Sequence, residues 1–374
     1  MHNKQKKNCG HKLLIIAPNL NHYKVRQLNM LSPEIGGLKV LYSLSHKSTG
    51  HIPTNDDQIH FDRAQIKNSK NRFIVYLRVK RTILQEIKRN NFKIVLFPME
   101  NKHLTIILFI YILKFIFKFK LASYNHHFIN RRTNKLLYLV DKSTTRTLTR
   151  LFDIIIYYTE TGMQRSIEEK MVNPKKAFFA NNTLDVENIF SIVDENTNKP
   201  QSNILFIGRI NQSKRIDILI DYFKEIKKNL QNCQLFIIGC GPEFKKYKQL
   251  SKEIKDIHWL GGIIDEKTIS KYMQISKIVF VPGHSGLSIN HSFAYRKPYI
   301  TLERKSHPPE IEYIQNGKNG LILPANDKEN NIKKITKLLM DDTYYNQMSQ
   351  AAYETAKKLT LENWVLNMKK ALQL

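Results

Sequence analysis

Short apolar runs that alternate with longer amphipathic segments constrain the fold of this chain most strongly. In the first half each run is apolar at nearly every position, so neither of its faces is suited to solvent. Strands of this kind belong to parallel sheets that helices cover on both faces. Helices are predicted at Lys24–Leu31, Arg72–Arg89 and Leu136–Arg150. The predicted strands are Lys12–Pro18, Leu38–Tyr42, Lys93–Phe97, Lys120–Tyr124 and Asp153–Tyr157.

A polar stretch divides the chain, and the same alternation restarts after it. Residues Asp185–Ser202 show no sustained period and contain a proline, which indicates a linker. We therefore predict an α/β protein of two doubly wound, Rossmann-like domains facing a central cleft, at 1–190 and 203–355. The tail Asn330–Leu374 is predicted to be helical throughout. Its last helix, at 356–374, is expected to pack back toward the first domain. Ligands of such folds bind at the carboxyl ends of the strands. The strands predicted in the second half are Asn203–Arg209, Gln234–Pro242, His258–Gly262, Lys277–Val281 and Tyr299–Leu302.

The charge of the chain is strongly basic, with a formal net charge of +28 over 374 residues. Lysine, asparagine and isoleucine are abundant throughout, so a Lys-rich composition without mechanistic meaning competes with binding to an anionic membrane or to nucleic acid. No nucleic-acid-reading motif is present, and no nucleic-acid partner is expected. Cys9, Cys233 and Cys240 have no metal-ligand spacing, which favours a reduced, cytoplasmic protein without disulfides.

The most apolar stretch of the chain is Leu104–Ser123, which three lysines interrupt. Its uninterrupted part is too short to span a bilayer. It is consistent with a buried crossover helix or with a surface helix whose lysines lie among lipid headgroups. We favour the buried helix, with membrane contact at its basic end.

The segment GRINQSKRIDILI places two cations around the end of a strand and the start of a helix. Arg209 ends the predicted strand and Lys214 precedes the helix Arg215–Leu230. Two positive charges beside backbone N–H groups suit a pyrophosphate. In so basic a chain, two solvated side chains would give the same pattern, and this segment alone does not decide.

The order of motifs resembles the C-terminal domain of glycosyltransferase family 4, the retaining GT-B enzymes. Residues 203–330 read GR-x4-K, FIIGCGP, WLGG, VPG-x2-GL, A-x3-P-x-I-T and PEIEYIQNGKNGLI with the family's spacing. In the first half, NHYKVRQLNML resembles the acceptor-side loop of polysaccharide-building members, and YTETG and NNTLD resemble the end of their first domain.

The resemblance implies roles for particular residues. Arg209 and Lys214 would hold the diphosphate of a nucleoside diphosphate sugar, and His126 and His127 would lie near the donor sugar. No D-x-D pair is present, so no metal ion and no cofactor are expected. The implied acceptor-side residues are Asn21, His22 and Tyr23. The other implied donor-binding residues are Gly208, Gly262, Ile263, Gly286, Leu287, Ser288, His291 and Glu310.

The stretch VPGHSGLSINHSFAYRKP departs from the family pattern. The family places two glutamates eight positions apart, where this chain has Gly283 and His291, and Arg296 stands in place of a glycine. We expect Gly283 to leave room for another group and His291 to hydrogen-bond the donor from the cleft. The alternative for His291 is a satisfied side chain in a helix–helix contact. Both phosphate cations remain, and the stretch resembles the pattern PG-x2-GLS-x-NH-x-FAYGKP of capsule and O-antigen-type members. We therefore expect this variant of the motif to belong to an active enzyme.

The predicted function is a metal-independent, retaining glycosyltransferase of bacterial surface polysaccharide synthesis, such as capsule or lipopolysaccharide. It would transfer a sugar to a glycan or lipid-linked acceptor in the cytoplasm or on the inner face of the cell membrane. A nucleotide-sugar epimerase of the same fold and a non-catalytic nucleotide-binding or nucleic-acid-binding protein are the alternatives.

Overall fold

The computed structural model describes residues 11–43, 58–67, 71–128, 134–193 and 199–374. The chain divides into two compact units. The first consists of Met1–Asn181 together with Glu362–Leu374, and the second of Asn182–Leu361.

The first unit is a parallel sheet covered by helices. Its described strands follow the order β3-β2-β1-β4-β5-β6-β7, and every neighbouring pair is parallel. The order reverses between β1 and β4, so the loops after these two strands flank a crevice at the carboxyl edge. The strands are β1 Leu13–Ala17, β2 Leu38–Ser43, β3 Asp62–Ile66, β4 Ile94–Leu96, β5 Lys120–Asn125, β6 Ile154–Tyr157 and β7 Ala177–Phe179, and the helices are α1 His22–Glu34, α2 Arg72–Arg89, α3 Leu104–Phe117, α4 Lys135–Leu151 and α5 Glu160–Glu168.

The second unit repeats this architecture. Its described strands follow the order β10-β9-β8-β11-β12-β13, again all parallel, with the reversal between β8 and β11. The strands are β8 Gln201–Ile207, β9 Leu235–Ile238, β10 Ile257–Gly261, β11 Ser276–Phe280, β12 Tyr299–Leu302 and β13 Gly320–Leu323, and the helices are α6 Val186–Ile192, α7 Ile216–Asn229, α8 Phe244–Leu250, α9 Glu266–Ile275, α10 Ser288–Ala294, α11 Lys328–Met340 and α12 Asp342–Ala356.

The last helix, α13 Leu361–Leu372, packs on the first unit. Trp364 is almost fully buried, and its indole Nε1 donates a hydrogen bond to Tyr124 Oη at 3.1 Å. The tail is therefore not helical throughout, because α11, α12 and α13 are separate helices and the last of them belongs with the first unit. The prediction of a structureless linker is also wrong at its start, since Val186 and Ile189 of α6 are buried in the core of the second unit.

The two faces of the first sheet are covered differently. One face packs on α1 and α13 through side chains such as Leu31 and Trp364. The opposite face packs on α2, α3 and α4 through side chains such as Ile83, Ile110 and Leu148. The parallel sheets covered by helices confirm the predicted α/β fold.

The apolar stretch around α3 is only half buried. Ile107, Ile110 and Leu113 point into the core, whereas Ile112, Phe115 and other large side chains are exposed. The helix ends at Phe117 because Lys118 adopts a left-handed conformation, and β5 follows. The expectation of a buried crossover helix is therefore correct for one face of α3 and wrong for the other.

Candidate functional site

The loops after β8 and β11 flank the strand-order reversal of the second unit. Gly208 and Arg209 follow β8, and the loop continues to Lys214, two residues before α7 begins. Arg209 is exposed, whereas the Lys214 side chain extends to the other loop and donates from Nζ to the carbonyl oxygen of His284 at 2.5 Å. The two predicted phosphate cations thus belong to one loop at the ligand-binding edge of this sheet.

Gly283 lies against the backbone of this cation-bearing loop. Its N–H donates to the Lys214 carbonyl at 3.1 Å, and the His284 N–H donates to that of Ser213 at 2.9 Å. A Cβ atom on Gly283 would lie 2.1 Å from the Ser213 carbonyl oxygen, which no side chain tolerates. The expectation that glycine leaves room here is therefore wrong, because the backbone of residues 213–214 fills the space.

Lys214 carries a perturbed charge. Burial lowers the pKa of its ammonium to about 8. The Glu310 carboxylate opposes this shift, and the Arg304 charge adds to it. At neutral pH the ammonium is still mostly protonated. A partly desolvated cation interacts more strongly with an anion than a solvated one does.

Glu310 is buried beside the glycine turn. It lies in the short 3-10 helix Pro309–Tyr313, hydrogen-bonded to the Asn182 amide, and its Oε2 would be 3.8 Å from a Cβ on Gly286. It is therefore not a solvated helix-start carboxylate. The turn, the buried carboxylate and Lys214 belong to one cluster.

The turn residues after Gly286 begin α10. Leu287 precedes the helix, and Ser288 is its first residue, with Oγ 2.8 Å from Tyr299 Oη on β12. Ser285, fully buried, has its Oγ 3.1 Å from Thr301 Oγ1. These contacts to β12 hold the turn rigidly at the end of β11.

The loops after β9 and β10 lie beside the β8 loop. The Gly239 N–H donates to the Gly261 carbonyl at 2.7 Å, and a Cβ on Gly239 would lie 1.9 Å from the Gly208 carbonyl oxygen. Gly262 is exposed and Ile263 is half-buried. The structure thus brings the loops that carry the predicted donor-binding residues Gly208, Gly262 and Ile263 to one edge of the second sheet.

His291 is held in a helix–helix contact. Its Nε2 lies 2.6 Å from Glu266 Oε1 at the start of α9, and Tyr295 Oη donates to the same oxygen at 2.7 Å. Burial raises the pKa of Glu266, but its interactions with His291 and Tyr295 outweigh burial, and the pKa lies below its usual value. The first of our two interpretations of His291 therefore needs correction, since a carboxylate on another element already engages its imidazole.

Glu266 is the residue that sequence reasoning missed. A carboxylate does lie beside position 291, but α9 supplies it rather than α10. Its Oε1 accepts both hydrogen bonds. Spacing along one helix could not reveal this contact, because 25 residues separate the two side chains.

His126 and His127 follow β5 in the first unit and line a cavity of about 300 Å³ at the ends of β4, β5 and β6. The Arg165 guanidinium lies 3.1 Å from His127 Nε2, which must therefore accept, and burial followed by the Arg165 charge lowers the pKa of His127 to about 4. His126 Nδ1 is 2.7 Å from the His127 carbonyl oxygen. His127 is thus a neutral, buried imidazole, and His126 is the more accessible of the pair.

The predicted acceptor-side residues lie at the end of β1. Asn21 precedes α1 and donates from Nδ2 to Tyr23 Oη at 3.0 Å, while its buried Oδ1 has no hydrogen-bond partner among the residues that the structure describes. His22 is the first residue of α1, and its side chain lies outside the described part of the structure. An acceptor oxygen without a donor is suited to a ligand hydroxyl.

Among the described residues, no three His, Cys, Asp or Glu side chains come together in an arrangement that could hold a metal ion. No helix in the described part of the chain combines the length and the apolarity that a membrane span requires.

Known proteins resemble this chain in sequence and in fold. Residues 187–355 match the family of glycosyl transferases group 1. An uncharacterized glycosyltransferase, MJ1178, of Methanocaldococcus jannaschii is 27% identical over 45% of this chain and 47% of its own length. The amylovoran biosynthesis glycosyltransferase AmsD of Erwinia amylovora is 24% identical over 48% of this chain and 51% of its own length. The matches thus span about half the length of these curated relatives.

Structural similarity extends over both units. The Anabaena protein Alr3699/HepE, solved in complex with UDP, superposes with a TM-score of 0.70 at 14% identity, covering 97% of this chain and 99% of its own. The chain therefore has the GT-B fold, and its residues 187–355 resemble the glycosyl transferases group 1 in sequence.

Proposed function

We propose that the protein is a retaining, metal-independent glycosyltransferase that uses a nucleoside diphosphate sugar in bacterial surface polysaccharide synthesis. One observation carries the proposal. Arg209 and Lys214 occupy the strand-order reversal of a glycosyltransferase group 1 domain, where helix-flanking loops meet. In the transfer the bond between the anomeric carbon and the diphosphate oxygen breaks, and negative charge develops on the leaving diphosphate. Cations already fixed at that position stabilise this charge in the transition state.

Donor recognition is assigned to the loops of the second unit. Gly208, Gly286, Leu287 and Ser288 present backbone to the phosphates, and Gly262 and Ile263 pack on the base. The bound UDP in the Anabaena protein of the same fold supports a nucleotide in this role.

Glu266 is proposed to accept a hydrogen bond from a hydroxyl of the donor. Its Oε1 is fixed by His291 and Tyr295, which leaves Oε2 as an oriented acceptor. It stands three residues after Ile263 and against α10, which follows the phosphate turn. A carboxylate between a base-contacting loop and a phosphate-contacting turn is suited to a ribose hydroxyl. His291 then acts as a positioning residue.

The acceptor is proposed to be a glycan or lipid-linked saccharide bound by the first unit. The Asn21 Oδ1 atom is buried, and none of the described residues donates to it, which favours a hydroxyl ligand in the loop after β1. AmsD acts in amylovoran biosynthesis, which supports a polysaccharide role. We further place the reaction in the cytoplasm, on the inner face of the cell membrane.

The test is release of nucleoside diphosphate from a panel of nucleoside diphosphate sugars, with and without candidate acceptors. Arg209→Ala should lower turnover by roughly 10²–10³, the scale of one transition-state charge contact. Arg215→Ala is the matched control, because Arg215 is a neighbouring exposed cation paired with Asp217 at 2.9 Å. Transfer should persist in excess chelator.

Three outcomes would count against the proposal. Equal turnover of the Arg209→Ala variant and the parent would show that Arg209 does not bind the diphosphate. Loss of transfer in chelator with recovery on adding Mn²⁺ would contradict metal independence. Epimerised donor without diphosphate release would identify the protein as an epimerase.

A further inference from the structure

Large apolar side chains are exposed on one layer of the first unit. On α3 Ile112 is 60% exposed, and on α4 Leu136 is 70% exposed. Single exposed apolar residues are ordinary, whereas a contiguous set marks a binding surface. The exposed large apolar residues of these helices are Phe73, Ile74 and Leu77 on α2, Leu104, Leu108, Ile112, Phe115 and Ile116 on α3, and Leu136, Leu137, Leu139 and Val140 on α4.

The three helices form one continuous layer. Their inner sides join the same core cluster on one face of the first sheet. Helices α3 and α4 connect neighbouring strands, from β4 to β5 and from β5 to β6, whereas α2 leads from β3 past β2 and β1 to β4. On this face α3 therefore lies between α2 and α4. Lys80 Nζ lies 4.5 Å from the Tyr76 ring and 5.1 Å from the Phe109 ring, which joins α2 to α3 directly. We call this outer surface the α2–α4 face.

The charge of the α2–α4 face is positive. Within α2, α3 and α4 the sequence contains only two acidic residues, Glu86 and Asp141. Glu86 is buried and paired with Lys39 at 2.7 Å, so it does not offset the outer charge. The exposed cations of α2 and α4 are Arg78, Arg81, Lys88, Arg89, Lys135, Arg146 and Arg150.

We propose that the α2–α4 face docks on an anionic lipid bilayer. The apolar side chains enter the boundary between headgroups and acyl chains, and the flanking cations contact anionic headgroups. This surface gives the proposed membrane location a definite place in the fold. It stands independently of the transfer reaction, since binding to lipid requires no activity.

The charge pattern favours a bilayer over a second copy of the chain. Two copies joined through this face would bring two positively charged surfaces together, which is unfavourable. An anionic bilayer offers the opposite charge and an apolar interior in one partner. The positive charge that composition left ambiguous thus acquires a role on this layer.

The experiment is co-sedimentation of the full chain with phosphatidylcholine vesicles that contain or lack phosphatidylglycerol. The variant Ile112→Ser/Phe115→Ser removes two exposed apolar side chains of α3 and should lower binding to anionic vesicles by at least about tenfold. Arg78→Glu/Arg81→Glu should lower it by a comparable factor and flatten its dependence on salt. Leu250→Ser/Met340→Ser is the matched control, because both residues are exposed in the second unit.

Thermal melts show whether each variant is folded, and light scattering reports self-association. Strong, salt-dependent binding that the control retains and the α3 variant loses supports the proposal. Failure of the parent chain to bind anionic vesicles overturns it, as does equal binding by the folded α3 variant. A parent dimer that the α3 variant abolishes, without vesicle binding, assigns the face to self-association and also overturns it.

Discussion

The two units share one topology but differ in which parts of their surfaces are packed and which are exposed to solvent. In the second unit the loops at the carboxyl edge are joined backbone to backbone, as in the contact between Gly283 and Lys214. In the first unit one helix layer leaves large apolar side chains such as Ile112 in solvent. The doubly wound fold therefore fixes where strands end, whereas the loops and the outer helix faces decide what each unit binds.

The first prediction concerns the core of the first unit. Trp364→Ala should lower the free energy of unfolding by about 3–5 kcal/mol, because it empties a buried aromatic site and removes the hydrogen bond to Tyr124. Leu366→Ala on the same helix, with the side chain half exposed, should change it by much less. Denaturant unfolding measures both. Equal effects would mean that α13 contributes little to the stability of the first unit. The boundary between the two units would then have to be drawn elsewhere.

The second prediction concerns the joined loops of the second unit. Gly283→Ala should lower stability by about 3 kcal/mol, because the added methyl overlaps the Ser213 carbonyl and forces the loops apart. Gly286→Ala is the control, since its Cβ would meet Pro308 at an ordinary 3.6 Å. Thermal melting distinguishes them. A Gly283→Ala protein as stable as the control would show that these loops are not tightly joined.

The third prediction concerns Glu266. Glu266→Gln should raise the dissociation constant for the preferred nucleoside diphosphate by about tenfold, since a charged acceptor is lost. The variant should also lose discrimination against the 2′,3′-dideoxy analogue. Glu253→Gln, an exposed carboxylate of the same unit, should change neither. Unchanged affinity and discrimination would reduce the Glu266–His291 pair to a structural contact between α9 and α10.

The smallest expected effect is the pH dependence of donor binding. Because the pKa of Lys214 is about 8, its ammonium is mostly charged at pH 7.5 and loses its proton as the pH rises through the pKa. Nucleoside diphosphate affinity should therefore fall by several-fold, at most about tenfold, between pH 7.5 and 9. The affinity of the Lys214→Arg variant should not change over this pH range, since a guanidinium stays charged.

Stability of the unliganded protein should change in the opposite direction. The folded pKa of Lys214 lies below its ordinary value of 10.5, so the unfolded chain binds more protons between pH 8 and 10.5. This group therefore contributes rising stability across that window.

Affinity that stays constant to pH 9 in the parent would place Lys214 away from the diphosphate.

Local patterns predicted the elements well where burial is uniform. The helix Arg72–Arg89 and the strand Tyr299–Leu302 have the predicted bounds. The edge strand Asp62–Ile66 was missed because three of its five residues are polar and only Ile66 is buried, and because it pairs with only one neighbour among the described strands. Periodicity along one segment does not register such a strand.

The candidate site was predictable only where its residues are close in sequence. Arg209 and Lys214 lie on one loop, so their spacing alone indicated their shared location. The contacts of Gly283 with Ser213 and of His291 with Glu266 join segments that are distant along the chain. Such contacts depend on how loops and helices pack, and the absence of a side chain at position 283 indicated empty space where backbone lies.

The placement of α13 has a consequence for biosynthesis. The first unit is assembled from Met1–Asn181 and Glu362–Leu374, two stretches that the whole second unit separates. A ribosome must therefore synthesise the second unit before the residues that cover Leu13, Ile15 and their neighbours become available. Until then that side of the first sheet is incompletely covered, and a fragment that stops at Asn181 would keep it so. Expression of the first unit alone should therefore require α13 to be supplied, either fused after residue 181 or as a separate peptide.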